Sequence, residues 1–389
     1  QARALFSRSK RSTADLLILS GDVPLIRPDT LRALLSFHRR RRAAATVLTT
    51  RVADPSGYGR VVRSPDGSLA GIVEHRDATP AQKKIMEINA GLYCADPALL
   101  FPALERTRRG NAQKEHYLPD VFAILKRQGH RVEAYRHDDF VEVLGVNDRS
   151  ELADAGKILY KRRATELMES GVTIIDPETT YIEPGVTVGP ETVIHPLARL
   201  EGATVIGPNC TIGAFAHITD CRIGAGVTVR DLCVLTGATL GDGVIVGPFA
   251  HLRPGTVLEE GVHVGNFVEV KKSRLGRGTK ANHLTYLGDA IIGERCNIGA
   301  GTITCNYDGV NKNTTTLEDE VFIGSDTQLV APVRVGRGAY VGAGSTITRN
   351  VPEYALALTR VKQATLTGWV KRRMERPANG KGRKTEEKA

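Results

Sequence analysis

Two side chains in this 389-residue sequence, Asp22 and His283, are of types that could bind a metal ion or accept a proton during a reaction of a small molecule. Asp22 follows an aliphatic run in the turn SGDVP, and a carboxylate at the end of an α/β strand could hold Mg²⁺ against a triphosphate. His283 lies in HLTYLGD, and an imidazole can take a proton from an amine near neutral pH. A turn-capping Asp and a structural His are the commoner roles, so residue type alone leaves both alternatives open.

Glu269 and Lys271 form a second pair of candidates, because an alternating strand would place them on one outer face. If Val264 and Val270 point inward, the two-residue period of a strand turns Glu269 and Lys271 outward together. Lys272 has the opposite parity and is expected near a corner. An exposed Lys beside a Glu is usually only a weak ion pair.

The first part of the chain has the pattern of a layered α/β domain. An aliphatic run at 16–19 is followed by an amphipathic stretch that opens at Pro28 and by a β-branched run at 45–52. Strand, helix and strand in this order predict a parallel core sheet. We expect further strands at 59–62, 69–74, 87–94 and 140–146, and a helix at 118–128.

A mostly polar segment at 148–171 separates two regions of different composition. It has a narrow apolar stripe, Asp148 as a candidate cap and Gly171 as a stop. These features predict one helix that acts as an arm between two domains.

After Gly171, aliphatic residues recur at every sixth position. Helices and hairpins do not have this period, whereas a triangular parallel β-helix needs one inward aliphatic residue for each flat face. The repeat is interrupted by a polar loop at 305–320, which is either a binding element or a tolerated insertion. The three unbroken series are Ile182, Val188, Ile194, Leu200, Ile206, Ile212 and Ile218; Leu240, Val246, Leu252, Leu258, Val264 and Val270; and Ile323, Leu329, Val335, Val341 and Ile347.

Composition narrows the class of protein. The formal charge of +10 suits an anionic partner. The six cysteines lack any C-x-x-C pair, which argues against a zinc knuckle or a disulfide framework and fits the reducing cytoplasm. No apolar run approaches the ~20 residues that span a bilayer. The first residue is Gln1, and we expect the chain to be a fragment.

Two sets of motifs resemble one bacterial family, the bifunctional N-acetylglucosamine-1-phosphate uridylyltransferase / glucosamine-1-phosphate N-acetyltransferases. The match runs in order from about residue 16 to residue 369. The resemblance to the uridylyltransferase half lies in the motifs GDVPLI at 21–26, GYGR at 57–60, IVEHRDA at 72–78, EINAG at 87–91 and GVN at 145–147. The resemblance to the acetyltransferase half lies in the motifs HLRPG at 251–255, GNFVEVKKS at 265–273, HLTYLGD at 283–289, NIGAGTITCNYDG at 297–309 and GSDTQLVAPV at 324–333.

The resemblance implies four segments. They are an incomplete, Rossmann-like nucleotidyltransferase domain at 1–147, a helical linker at 148–171, a left-handed parallel β-helix with hexapeptide repeats at 172–370, and a basic, disordered tail at 371–389. The family's Gly-rich phosphate loop has no counterpart in residues 1–20, so we expect the uridylyltransferase site to be present only as its second half.

The implied reactions supply precursors of peptidoglycan and lipopolysaccharide. The β-helix would transfer an acetyl group from acetyl-CoA to glucosamine-1-phosphate. The first domain of the full-length protein would make UDP-N-acetylglucosamine from UTP and the acetylated sugar phosphate, with Mg²⁺. We expect a cytoplasmic homotrimer with small-molecule substrates, no nucleic acid and no membrane span.

In the acetyltransferase half, the resemblance makes His283 the general base, and Glu269 could orient it. The phosphorylated sugar would be held by Arg253, Lys271, Tyr286 and Asn297, where a guanidinium and an ammonium suit a phosphate. Acetyl-CoA would contact Ala300, Asn306, Tyr307, Ser325, Ala343 and Arg360, with backbone N–H groups near Ser325 as oxyanion donors.

In the uridylyltransferase half, the resemblance assigns Mg²⁺ to Asp22 and Asn147, with Asn147 following the predicted strand at 140–146. The UDP-sugar residues would be Gly21, Gly59, Glu74, Asn89 and Asn147.

Three other functions are compatible with parts of the sequence. A non-catalytic β-helix scaffold with a sugar-nucleotide-binding domain explains the repeat but not HLTYLGD. A zinc enzyme needs converging histidines, yet no close H-x₃₋₅-H pair occurs. Nucleic-acid binding has only the positive charge in its favour, since the basic stretches carry no interleaved aromatics.

Overall fold

The computed structural model describes residues 15–374. The chain divides into two compact units, Gln1–Arg162 and Arg163–Ala389. The expectation about a missing Gly-rich loop concerns residues 1–20, most of which lie outside the described residues.

The first unit contains a six-stranded sheet flanked by helices. The prediction of a parallel core sheet is wrong: among the described residues, only Ala45–Arg51 and Val132–Arg136 pair in parallel, and the other pairs are antiparallel. The strands are Leu16–Ile18, Ala45–Arg51, Arg60–Arg63, Leu69–Val73, Glu87–Ala95 and Val132–Arg136, and the helices are Pro28–Arg41, Pro80–Lys83, Pro97–Leu104 and Asp120–Arg127.

The strand predicted at 140–146 is also wrong, because Phe140–Val143 forms a 3₁₀ helix. The carboxylate of Asp139 caps it by accepting from the N–H of Val141 at 3.0 Å. Glu142 is buried in this turn, and its carboxylate accepts a hydrogen bond from the hydroxyl of Thr30 at 2.6 Å. A buried carboxylate with partners on another element stabilises the turn over an extended strand. The strand that the sequence analysis missed is Val132–Arg136.

Helix Arg149–Glu169 occupies most of the segment predicted as an arm. The division between the two units falls inside this helix, after Arg162. Its last turns contribute Ala164 and Leu167 to the core of the second unit.

The second unit is a parallel β-helix with three faces, built from sheets of eleven, ten and nine strands. Face 1 consists of Thr173–Ile174, Val193–Ile194, Thr211–Ile212, Thr228–Val229, Ile245–Val246, His263–Asn266, Lys280–His283, Asn297–Ile298, Phe322–Ile323, Tyr340–Val341 and Leu356–Ala357. Face 2 consists of Tyr181–Ile182, Arg199–Glu201, His217–Thr219, Val234–Thr236, His251–Leu252, Glu269–Lys271, Tyr286–Gly288, Ile303–Cys305, Gln328–Val330 and Thr346–Ile347. Face 3 consists of Thr187–Val188, Val205–Ile206, Arg222–Ile223, Thr239–Leu240, Val257–Leu258, Arg274–Leu275, Ala290–Ile292, Thr315–Leu317 and Val333–Val335.

The six-residue series mark the core of this β-helix. All of their members are buried except Val188, which is half-buried and packs against the same core. The series breaks after Ile218 and after Val270 because the step from face 2 to face 3 is there five residues long, to Ile223 and to Leu275. Aliphatic side chains that stack from coil to coil form one continuous hydrophobic core.

The interrupting loop is shorter than predicted. Cys305 ends one strand of face 2, and Thr315–Leu317 is a full strand of face 3, so only 306–314 leave the coil. At the carboxyl end, Trp369–Met374 form a short helix, which corrects the predicted disorder from residue 371 for its first residues. The rest of the predicted tail lies outside the described residues. None of the helices in the described part of the chain is long and apolar enough to cross a membrane.

Candidate active site

His283 ends a strand of face 1, immediately before the corner residue Leu284. Its ring is exposed, and Nδ1 lies 2.9 Å from Oδ1 of Asn266. Asn266 is the residue paired with His283 on the neighbouring coil. Stacking of the coils therefore gives the imidazole a hydrogen-bonding partner that is distant in sequence.

A cavity of about 380 Å³ opens beside His283. Arg230 brings a positive charge to its wall, and burial followed by the charges of Arg230, Lys280 and His283 lowers the pKa of His263. One polar atom in the wall, Oδ1 of Asn282, is buried without a hydrogen-bond partner. The residues that line the cavity are Arg230, Gly247, Pro248, His263, Gly265, Asn266, Asn282 and His283.

Four of the predicted residues form one column along the β-helix. The strand register pairs Ile298 with Ala281 and with Ile323, and it pairs Ile323 with Val341. Two residues after each of these positions, the same register aligns His283, Ala300, Ser325 and Ala343, which we call the site column.

Hydrogen bonds between coils hold the site column together. The N–H of Gly301 donates to the carbonyl of Leu284 at 3.0 Å, that of Asp326 to Ala300 at 2.7 Å, and that of Gly344 to Ser325 at 2.8 Å. The side chain of Arg360 lies against Gly344 at the top of the column. The candidate base and four predicted acetyl-CoA residues therefore lie along one edge of the β-helix.

Three of the four predicted sugar-phosphate residues, Arg253, Lys271 and Tyr286, lie on the outer side of face 2. Nη1 of Arg253 donates to Oε1 of Glu269 at 2.8 Å, and this hydrogen bond raises the pKa of Arg253. Tyr286 pairs with Glu269 on the next coil. The expected contact between Glu269 and His283 is not what we find, because Arg253 holds this carboxylate and Asn266 is the partner of the imidazole.

Lys271 shows that the loop at 306–314 belongs to this site. Lys312, in that loop, interacts directly with Lys271, and this contact and the charge of Lys271 lower the pKa of Lys312. Asp289 and Tyr286 are close enough to oppose the shift. Two adjacent ammonium groups repel each other unless an anion lies between them. Sequence reasoning did not consider Lys312, although a lysine in a loop that interrupts the repeat was visible.

The same loop is fixed by Asn306. Its buried side-chain amide donates from Nδ2 to Oδ2 of Asp289 at 2.5 Å. Its backbone carbonyl accepts a hydrogen bond from the N–H of Asn313 at 2.7 Å. Gly288 lies below it, where a Cβ would collide with the hydroxyl of Tyr286 and the amide of Asn306. Tyr307 is exposed, with its hydroxyl donating to the carbonyl of Gly309 at 2.6 Å. The structure brings Asn306, Tyr286 and Lys271 together.

Asn297 stands apart from this group. It lies on face 1, where it pairs with Lys280 on one coil and with Phe322 on the next. The structure does not bring it to the outer side of face 2 within one chain.

In the first unit, Asp22 lies beside the segment at 145–146, which leads into Asn147. The N–H of Val146 donates to the carbonyl of Asp22 at 2.8 Å, and a Cβ on Gly145 would be 4.0 Å from Oδ2 of Asp22. The side chains of Asp22 and Asn147 are exposed. A carboxylate and an amide offer the oxygen ligands that Mg²⁺ prefers, so these residues fit the ion.

Three of the predicted UDP-sugar residues also form one group. The N–H of Asn89 donates to the carbonyl of Gly59 at 2.9 Å, and a Cβ on Gly59 would lie 3.1 Å from Oε1 of Glu74. Burial, followed by the charges of Asp77 and Asp120, raises the pKa of Glu74. Nδ2 of Asn89 donates to the hydroxyl of Tyr93 at 2.8 Å. Gly21 has open space where its side chain would be.

Across residues 15–374, no group of three or more His, Cys, Asp and Glu side chains is placed to hold a metal ion.

Comparison with known proteins links both units to one family. The nucleotidyl transferase family matches residues 1–153, the GMPPB C-terminal domain matches 178–274, and the bacterial transferase hexapeptide (six repeats) matches 314–349. The Bifunctional protein GlmU of Geotalea uraniireducens is 50% identical over 354 residues, which cover 91% of this chain and 78% of that protein. The Bifunctional protein GlmU of Geobacillus sp. is 50% identical over 356 residues, which cover 92% of this chain and 77% of that protein.

These matches do not favour a non-catalytic scaffold, because the similarity to bifunctional enzymes covers 91% of the chain. The chain therefore belongs to the bifunctional GlmU family, enzymes with glucosamine-1-phosphate N-acetyltransferase and N-acetylglucosamine-1-phosphate uridylyltransferase activity.

Proposed function

We propose that His283 is the general base of N-acetyl transfer and that acetyl-CoA binds along the site column. The observation that carries this proposal is the alignment of His283 with Ala300, Ser325 and Ala343 on consecutive coils. Small side chains above a base leave room for an extended pantetheine arm close to the backbone, and Arg360 at the top offers a cation to a phosphate.

The reaction follows from these positions. His283 accepts a proton from the amino group of glucosamine-1-phosphate, and the nitrogen lone pair attacks the carbonyl carbon of the thioester. A C–N bond forms, the C–S bond breaks, and CoA leaves as a thiolate that takes its proton from the His283 imidazolium, which restores the neutral base. The backbone N–H of Ser325 is the candidate donor to the oxyanion that develops on the carbonyl oxygen.

We assign the phosphate of the acceptor to the cations on the outer side of face 2. Arg253, Lys271 and Lys312 supply positive charge, and Tyr286 and Asn306 enclose Gly288 beside them. Glu269 acts here by orienting Arg253. Asn297 would have to act from another subunit, since its position on face 1 separates it from this group.

In the first unit, Asp22 and Asn147 would hold Mg²⁺, which would neutralise phosphate charge during uridylyl transfer. Gly59, Glu74 and Asn89 would bind the sugar and its acetamide, with Gly21 allowing close approach to the ligand.

We also propose a homotrimer, supported by an exposed apolar ridge along the edge between faces 1 and 2. Non-glycine residues occupy the left-handed region of backbone conformation there, which costs about 1 kcal/mol for each residue. Four of their N–H groups bond to the coil below, as Leu232 does to the carbonyl of Ala214 at 2.9 Å. The ridge consists of Leu197, Phe215, Leu232, Phe249, Phe267 and Leu284.

A second copy of the chain is the occupant that fits this ridge. Leu284 is 62% exposed and directly follows His283, so the ridge continues into the candidate site. The rings of Phe249 and Phe267 stack with centroids 5.2 Å apart and form a flat apolar surface. Packing of copies on this edge would turn an exposed site into a groove between subunits and close it by cyclic symmetry. The free cysteines of the described chain support a reducing cytoplasmic location for this enzyme.

The test is release of CoA thiol by the purified chain with acetyl-CoA and glucosamine-1-phosphate. Replacing His283 by Ala should lower kcat by about 10²-fold or more. His195→Ala is the matched control, because His195 occupies the same edge several coils away. A folded chain that releases no thiol, or a His283→Ala variant with normal turnover, would reject the proposal.

A further inference from the structure

Asn266 is the one residue that makes a described hydrogen bond to the ring of His283, at 2.9 Å between Oδ1 and Nδ1. An amide oxygen carries no hydrogen, so the hydrogen in this bond must come from the imidazole. Nδ1 is then protonated, and the lone pair of the neutral ring is on Nε2. A general base needs that lone pair on the nitrogen that faces its substrate.

The backbone holds Asn266 in place on both sides of this contact. The N–H of Leu284 donates to the carbonyl of Asn266 at 3.0 Å, which ties the corner after His283 to the coil below. The coils approach so closely here that a Cβ on Gly265 would collide with the carbonyl of Asn282. Because neither coil can shift without a clash or a broken hydrogen bond, the distance between the amide and the imidazole is set by the fold.

The other charged groups near the ring of His283 do not accept a hydrogen bond from its Nδ1. Glu269 is held by Arg253 at 2.8 Å. The groups that share the cavity wall or strand with His283 are Arg230, His263 and Lys280, which all carry positive charge when protonated. An amide orients the ring without adding a negative charge that would favour the protonated imidazole.

We infer that Asn266 is a positioning residue for His283, which it holds in the tautomer with Nε2 free to accept the proton of the acceptor amine. This inference rests on the proposed role of His283 as the base, but its first test does not require turnover.

The first test is nitrogen NMR of the full chain with labelled histidine, at about pH 8, where imidazoles are neutral. His283→Gln identifies the resonances of His283. We expect the proton on Nδ1 in the wild-type chain and in Asn266→Asp, and a mixture of tautomers in Asn266→Ala. A proton on Nε2 in the wild-type chain would mean that the amide donates instead of accepts, and would overturn the inference.

The second test is kinetic. Asn266→Ala should lower kcat about 10- to 100-fold with little change in KM for either substrate, as expected for loss of a partner that orients a ligand or base. Asn266→Asp keeps the acceptor, so kcat should stay within a few-fold of wild type, while the acid limb of the pH–rate profile moves to higher pH because a carboxylate stabilises the imidazolium.

Asn350→Ala is the matched control, since Asn350 accepts a hydrogen bond from the N–H of Arg334 at 2.9 Å at the corner between faces 2 and 3. Wild-type kcat and pH profile in Asn266→Ala would reject the positioning role. If His283→Ala keeps its turnover, the proposed base is wrong, and the tautomer measurement still decides the relation between Asn266 and the ring.

Discussion

Lys312 lies beside Lys271, and this contact and the charge of Lys271 lower the pKa of Lys312. Lys271 is level with Arg253 on the outer side of face 2, and Lys312 reaches Lys271 from the loop at 306–314. Positive charges that repel each other in the free protein attract a phosphate more strongly when it binds, because the ligand removes the repulsion. This relationship makes the loop part of the acceptor site.

Replacement of Lys312 by Met should raise KM for glucosamine-1-phosphate about tenfold and leave kcat within a few-fold of wild type, since one charge-assisted contact to phosphate is lost. Initial rates of thiol release at varied acceptor concentration measure this. Lys272→Met is the control, because Lys272 is adjacent to Lys271 but lies at a corner with positive φ. An unchanged KM in Lys312→Met would remove Lys312 from the acceptor site.

Gly288→Ala should impair acceptor binding without unfolding the protein. The added methyl group would collide with the hydroxyl of Tyr286 and the amide of Asn306, so both side chains must move. We expect KM for glucosamine-1-phosphate to rise about tenfold or more, by the loss of polar contacts. Gly71→Ala is the control, since nothing lies within 4 Å of its added Cβ. Normal kinetics of a folded Gly288→Ala chain would contradict the proposed packing.

Glu74→Gln should stabilise the protein at neutral pH. Burial raises the pKa of Glu74 above its ordinary value of 4.5, so the folded state binds this proton more tightly than the unfolded state. The stabilising contribution is therefore full below about pH 4.5 and is lost as the pH rises through the raised pKa. The difference in Tm between Glu74→Gln and wild type should grow from about zero at pH 4.5 to a positive value at pH 7.5.

The control for this measurement is Glu115→Gln, which replaces an exposed glutamate of the same unit. Its Tm should follow that of wild type at every pH. If Glu74→Gln is only as stable as wild type at pH 7.5, or less stable, the ionised carboxylate of Glu74 does not destabilise the folded protein.

Phe267→Glu should prevent assembly, because it places a charge in the middle of the apolar ridge next to Phe249. Sedimentation velocity should show trimers for the wild-type chain and monomers for the variant, with activity lost in parallel. Ile291→Glu is a control of equal exposure, 54% in each case, on face 3. Trimers of Phe267→Glu would exclude the ridge as the interface.

In the first unit, the hydrophobic pattern predicts where strands lie but not how they pair. Aliphatic runs located most of its strands but did not distinguish parallel from antiparallel pairing, which depends on the order of strands in the sheet. The run at 140–146 was predicted as a strand, yet the buried partners of Glu142 stabilise a 3₁₀ turn. The pairing of the strands and the hydrogen bond from Thr30 to Glu142 both join residues that are distant in sequence.

The β-helix is different, because each of its coils repeats the same local rule. One inward aliphatic residue for each face determines the fold from sequence alone, and the inward positions of Val264 and Val270 place Glu269 and Lys271 outward without further information. The motifs also identified His283 as the candidate base. Only the tertiary structure decided its neighbours, because the stacking of coils with five- and six-residue steps determines which residues meet. That stacking placed Asn266 rather than Glu269 on the imidazole and carried Lys312 to Lys271.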